Sequence, residues 1–169
     1  MKPPLNTCLL IAAVTAAIAG PAHATDANIE AARTYAAFWN TGDPALARKA
    51  LAPDFIDRTL PPGRDQGVNG PLQASKGFRG AVPDLKAEIA DLVASGDRVS
   101  VRLHFTGHFT GRFGEVQGEG QTIDFQAFDL YRVADGRIAE NWHLEDNLTL
   151  LRQMGIIKPD PQSAPSKTQ

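Results

Sequence analysis

Near Leu85 the hydrophobic period of this chain changes from helical to alternating, and that change limits the possible folds more than any other feature. Before it, apolar residues recur at helical spacing: Ile29, Ala32, Ala36 and Trp39 form one stripe, and Leu46, Ala47, Ala50 and Leu51 form another. After it the period is 2. Leu85, Ala87 and Ile89, then Val99, Val101, Leu103 and Phe105, lie on one side of successive strands. Helices followed by a run of antiparallel strands describe an α+β domain.

Local signals set the element boundaries. Asp26 is expected to cap the first helix and Asn40-Thr41-Gly42 to stop it. Asp43-Pro44 joins a cap to a proline at the first helical position of the second helix, which Pro53 is expected to end. Asp54-Phe55-Ile56-Asp57 alternates like a short strand, a loop rich in Pro and Gly follows, and Leu72 to Arg79 reads as a third helix. The glycines from Gly107 to Gly120 predict a loop or hairpin tip, with a spacing that matches neither a phosphate-binding loop nor a repeat. Ile123 to Val133 is a long strand that turns through Ala134-Asp135-Gly136-Arg137 into a partner ending near Glu145. Leu148, Leu151 and Met154 complete a last short helix, closed by Gly155.

Composition narrows the class. With 43% apolar residues, 21% charged residues and a net charge of -2, the chain can build a core and has no basic excess for phosphates, so nucleic-acid partners are not expected. Its single cysteine, Cys8, precedes the apolar run LLIAAVTAAIA, which with Lys2 before it and Ala22-His23-Ala24 after it has the pattern of a signal peptide. We therefore expect residues 1–24 to be removed, residues 25–157 to form one domain, and residues 158–169, with three prolines, to be a disordered tail. The run is too short to span a bilayer, so a periplasmic or secreted protein without membrane contact after cleavage is expected.

Three segments, FWNTGDPALARKALAPDF, YRVADGRIAENWHLEDN and LTLLRQMG, resemble the SnoaL-like polyketide cyclase (ester cyclase) family of the nuclear transport factor 2-like superfamily, over about Ile29 to Ile157. The resemblance implies a cone in which N-terminal helices pack on a strongly curved mixed or antiparallel sheet, with a pocket between them. It also implies cofactor-free, metal-free acid/base chemistry on a hydrophobic small molecule, in an intramolecular aldol closure, by a residue that is usually Asp. Here that position falls on His143, with Asp129 on the neighbouring strand as its orienting partner and Asp57 where the cyclases contact substrate. Tyr35, Trp142 and Asp146 are further candidate substrate contacts, Asp146 being equally a helix cap.

Independently of the family, an imidazole with an ordinary value of ~6.5 both takes and returns protons near neutral pH. The alternative is a core histidine beside a solvent-facing strand carboxylate. Hairpin register bears on the choice. If Val133 pairs with Ile138 in simple register, Asp129 and His143 lie on opposite faces; a one-residue bulge brings them opposite each other on one face. His104 and His108, four apart in a region read as strand and loop, do not share a helical face for a metal. The leading expectation is an exported cyclase, isomerase or dehydratase acting on a carbonyl compound, and the rival is a non-catalytic binding module of the same fold. Strands with two apolar faces add the expectation of a homodimer, with Trp142 and Leu130 at the contact.

Overall fold

The computed structural model describes residues 21–158, with side chains from Thr25 onward. The expected leader up to Gly20, with Cys8, and the tail from Pro159 lie outside the described residues. Four helices and seven strands follow in the order α1 (Pro21–Thr41), α2 (Pro44–Ala50), β1 (Leu51–Asp57), α3 (Asn69–Ala81), β2 (Lys86–Ser95), β3 (Arg98–Phe109), β4 (Arg112–Phe113), β5 (Val116–Gln117), β6 (Gln121–Ala134), β7 (Arg137–Glu145) and α4 (Asn147–Gln153). The change of period at Leu85 marks the start of the four antiparallel strands of the main sheet, while β1, its fifth strand, comes earlier, between α2 and α3.

Two local expectations are corrected. Asp26 lies inside α1 instead of capping it, because Pro21 suits a first helical turn and the alanines after it propagate the helix. Pro53 does not end α2; it lies inside β1, at a register irregularity between Leu51 and Ile56 on an edge strand, where its missing N–H costs no ladder bond. Asp43 does cap α2, accepting from Ala45 N at 2.9 Å.

Five strands form an open sheet in the order β1-β7-β6-β3-β2. All neighbours are antiparallel except β1 and β7, which are parallel, so the sheet is mixed. One face packs on α1, where Tyr35 and Phe38 stack and Tyr35 meets Tyr131 edge-on at 5.8 Å. Val99, Val101, Leu103 and Phe105 of β3 supply the buried row that the alternation predicts. Among the described residues no helix is long and apolar enough to cross a membrane.

The β6–β7 hairpin turns through Asp135 and Gly136, both at positive φ (51° and 69°), as a two-residue turn of this hand requires. Val133 pairs with Ile138 next to the turn, but beyond it Arg132 pairs with Glu140, leaving Ala139 as an extra residue. From that bulge onward Tyr131 faces Asn141 and Asp129 faces His143. The simple register and the shifted one therefore both occur in one hairpin, and the shifted one places the two candidate residues on the inner face.

Candidate active site

Between α1, α3 and the inner face of the sheet lies a cavity of about 560 Å³, within the ~300–1,000 Å³ usual for small-molecule sites. Its wall is aromatic: Phe105 and Phe125 stack at 5.0 Å, Phe78 meets Phe125 edge-on, and Trp39 meets Phe105 edge-on. Tyr35 lines it from α1, almost wholly buried. The short β4–β5 hairpin, made from the glycine-rich segment, contributes Arg112 and Phe113. Asp57, Asp129, Asn141, His143 and Glu145 add polar groups from β1, β6 and β7.

His143 is held between two carboxylates. Its Nδ1 lies 2.6 Å from Glu145 Oε1 and its Nε2 lies 3.1 Å from Asp57 Oδ2. The imidazole is 9% exposed and the Asp57 side chain 4%, whereas Glu145 is 36% exposed. Only the imidazolium can donate through both nitrogens at once. Burial by itself would lower the histidine, but the hydrogen bond and charge of Glu145, with those of Asp57, outweigh it and push His143 up to about 9. Glu145 in turn is raised by burial, yet its bond to His143 and the imidazolium charge leave it below the usual carboxylate range.

Asp57 is itself fixed. Its Oδ1 accepts from Thr59 N at 2.9 Å, and the Gln66 side chain pairs with its backbone N–H and C=O at 2.7 and 3.0 Å. Thr59 Oγ1 also accepts from His143 N at 2.9 Å, tying the loop after β1 to β7.

Asp129 is the one carboxylate in the row Ile123, Phe125, Ala127, Asp129, Tyr131, Val133 that β6 turns inward. Burial pushes its carboxyl up to about 6, offset in part by the Asn141 side chain, whose Nδ2 donates to Oδ1 at 2.8 Å. The side-chain oxygen of Asn141, Oδ1, is buried and has no hydrogen-bond partner among the described residues.

Asp129 faces His143 in the ladder but does not orient it: its carboxylate is bonded to Asn141, and the imidazole is bonded to Asp57 and Glu145. Asp57 contacts the histidine as well as lining the cavity, and Tyr35 is at the cavity. Trp142 is not: one residue from His143 on a strand, it points to the outer face, where Arg98 Cζ lies 5.2 Å from its ring centre. Asp146 caps α4, accepting from Thr149 N at 3.0 Å and Thr149 Oγ1 at 2.7 Å, and lies outside this cavity. His104 and His108 each pair with one carboxylate, Asp124 and Asp84. Among the described residues no group of three or more His, Cys, Asp or Glu is arranged to hold a metal ion.

Sequence reasoning passed over Glu145, Asn141, Thr59, Gln66 and Arg64. For Glu145 and Asn141 the signal was present, since both lie two residues from His143 and share its face. The other three lie after β1, where no period operates.

The comparisons agree with this architecture. A family model described as SnoaL-like polyketide cyclase matches residues 29–154. A candidate polyketide cyclase from Bacillus cereus ATCC 10987 is 44% identical over 78% of this chain and 82% of its own, with a TM-score of 0.70. IdmH, a candidate polyketide cyclase from Streptomyces antibioticus, is 29% identical over 76% of this chain and 98% of its own, with a TM-score of 0.68. A Catenulispora acidiphila protein with a ketosteroid isomerase-like fold, solved with trimethylamine, is 17% identical over 76% and 94% of the two chains at a TM-score of 0.60, and that likeness bears on fold alone. No curated protein matches the sequence. The cone of helices on an open mixed sheet is the nuclear transport factor 2-like fold, and the chain belongs to the SnoaL-like polyketide cyclase family.

Proposed function

We propose that the cavity carries out cofactor-free acid/base chemistry on a hydrophobic carbonyl compound, with intramolecular aldol closure as the leading reaction and isomerisation or dehydration as related ones. One observation carries the proposal: an acid ionising near 6 and an imidazole keeping its proton to about 9 stand opposite each other across β6 and β7, in a cavity with aromatic walls. At neutral pH that pair is a carboxylate and an imidazolium, which exchanges the roles expected from sequence. Asp129 is the base and His143 the acid.

In the proposed reaction the Asp129 carboxylate takes a proton from the carbon beside a carbonyl. The resulting enolate forms a carbon–carbon bond to a second carbonyl of the same molecule, and the oxygen of that carbonyl takes a proton from His143. Asp57 is anchored by Thr59 and Gln66, whereas Glu145 is a third exposed, so the substrate oxygen displaces Glu145 from the imidazole. The proton on Asp129 returns to His143 through solvent, and the product has the composition of the substrate.

Exchange of α-protons for deuterium tests the first step without knowledge of the natural substrate. A panel of aromatic and aliphatic ketones in D2O, followed by NMR, should include members that the protein exchanges well above the buffer rate. Binding without exchange across the panel would favour the non-catalytic module instead. We also propose export with cleavage after Ala24, supported by the leader pattern and testable by N-terminal sequencing of the product from an exporting host. A homodimer through the outer sheet face is supported by exposed Phe128, Leu130 and Leu144, and light scattering at micromolar concentration tests it.

A further inference from the structure

The cavity also holds two cations that this chemistry does not use. Arg64 lies on the loop between β1 and α3 and is half-buried; Arg112 lies on β4 and is exposed. Neither guanidinium has a hydrogen-bond or ion-pair partner among the described residues. Other arginines of the fold are engaged: Arg58 and Arg132 both hold Glu140, and Arg79 donates to the Trp39 carbonyl.

The local chain places Arg64 deliberately close to the interior. Arg64 N closes a turn on the Pro61 carbonyl at 3.2 Å. Its side chain then runs beside Gly70 at the start of α3, where an added Cβ would approach Arg64 Cγ to 3.3 Å. Its positive charge acts on the Tyr35 hydroxyl and on Glu145, both at the cavity, so the guanidinium is directed inward. Glu145 feels that charge but makes no direct ion pair with Arg64, its hydrogen bond going to the His143 imidazolium. A guanidinium partly withdrawn from water without a partner is unfavourable, and its planar fork suits a carboxylate better than any neutral group.

We propose that the ligand of this cavity is an aromatic or polycyclic compound bearing a carboxylate, with its rings on Phe78, Phe105 and Phe125 and its carboxylate on Arg64, while Arg112 adds attraction at the mouth. The inference rests on the proposed function only in taking the same cavity as the substrate site.

The test compares 2-naphthoate with 2-naphthamide, which have the same ring system and differ in charge. The chain has two tryptophans, and Trp142 lies outside the cavity, so Trp142→Phe leaves Trp39 as the reporter. In that full-length variant at low ionic strength, the change in Trp39 emission should give at least about tenfold tighter binding of naphthoate. Arg64→Gln should reduce the preference to under about threefold, and Arg112→Gln by a smaller factor. Circular dichroism checks that each variant is folded. Equal binding of the two compounds, no binding of either, or a preference that survives both substitutions together would overturn the proposal. Failure of the acid/base reading looks different, with proton exchange at the buffer rate while the naphthoate preference persists.

Discussion

The two faces of the β6–β7 hairpin carry similar charged groups at similar distances and put them to different uses. On the outer face Glu140 accepts from Arg58 Nε and Arg132 Nε, both at 2.6 Å. Those hydrogen bonds, first from Arg58 and then from Arg132, hold its carboxyl below the usual range, and the arrangement ties β1, β6 and β7 together. On the inner face His143 lies 2.6 Å from Glu145 and 3.1 Å from Asp57, and these carboxylates keep the imidazole charged against its burial, while burial raises the carboxyl of Asp129 opposite. Contact distance does not distinguish a structural ion pair from a reactive set. Surroundings do, because withdrawal from water is what makes Asp129 hold its proton to about 6.

The largest expected effect breaks the inner face alone. Asp129→Asn and His143→Gln should each lower proton exchange by at least about a hundredfold, in line with loss of a general acid or base. Glu140→Gln should leave exchange within about threefold of the parent while lowering the thermal midpoint by roughly a few degrees. Equal losses of activity from both faces would remove the distinction.

The pH dependence sharpens the comparison. With Asp129 as base and His143 as acid, exchange should rise through about 6 and fall through about 9. A rate still rising beyond 9 would instead identify neutral His143 as the base. Stability should respond with opposite sign on the two faces. His143 is raised in the folded state, so its contribution is complete below its unfolded value of ~6.5 and is lost as pH rises through about 9. Asp129, raised by burial, acts in the same direction, its ionisation opposing the fold as pH passes about 6. Glu140 is lowered, so its contribution is present above the ordinary carboxylate range and is lost as pH falls through its depressed value. Denaturant melts of His143→Gln and Glu140→Gln against the parent should therefore converge with it at alkaline and acid pH respectively.

A smaller shift is expected from Asn141→Ala. Its amide is the hydrogen bond that restrains Asp129, so its removal should move the acid limb of the exchange profile above about 6. An unmoved limb would mean that burial alone sets Asp129. The smallest effects belong to residues outside the cavity: Trp142→Phe and Asp146→Ala should change exchange by less than about twofold, the latter weakening only the start of α4.

By itself the sequence determined the order and period of the elements. Alternation in β3 and β6, the Asp43-Pro44 start of α2, the Asp135-Gly136 turn and the Gly155 stop, at φ 74°, all follow from near-neighbour sterics and burial that a short segment carries within itself. Alternation also carried the signal that sets Trp142 off the face of His143 and puts Glu145 and Asn141 on it, although Trp142 was expected at the substrate and the other two were passed over. Tertiary structure alone decided which side of the hairpin those residues share with Asp129. That depends on one unpaired residue, Ala139, whose insertion reflects how β7 meets β1 and β6 together and leaves no local signature. It also decided the partners of His143. Asp57 is 86 residues away in the chain, and charge states that depend on burial exist only once distant segments have excluded water from between them.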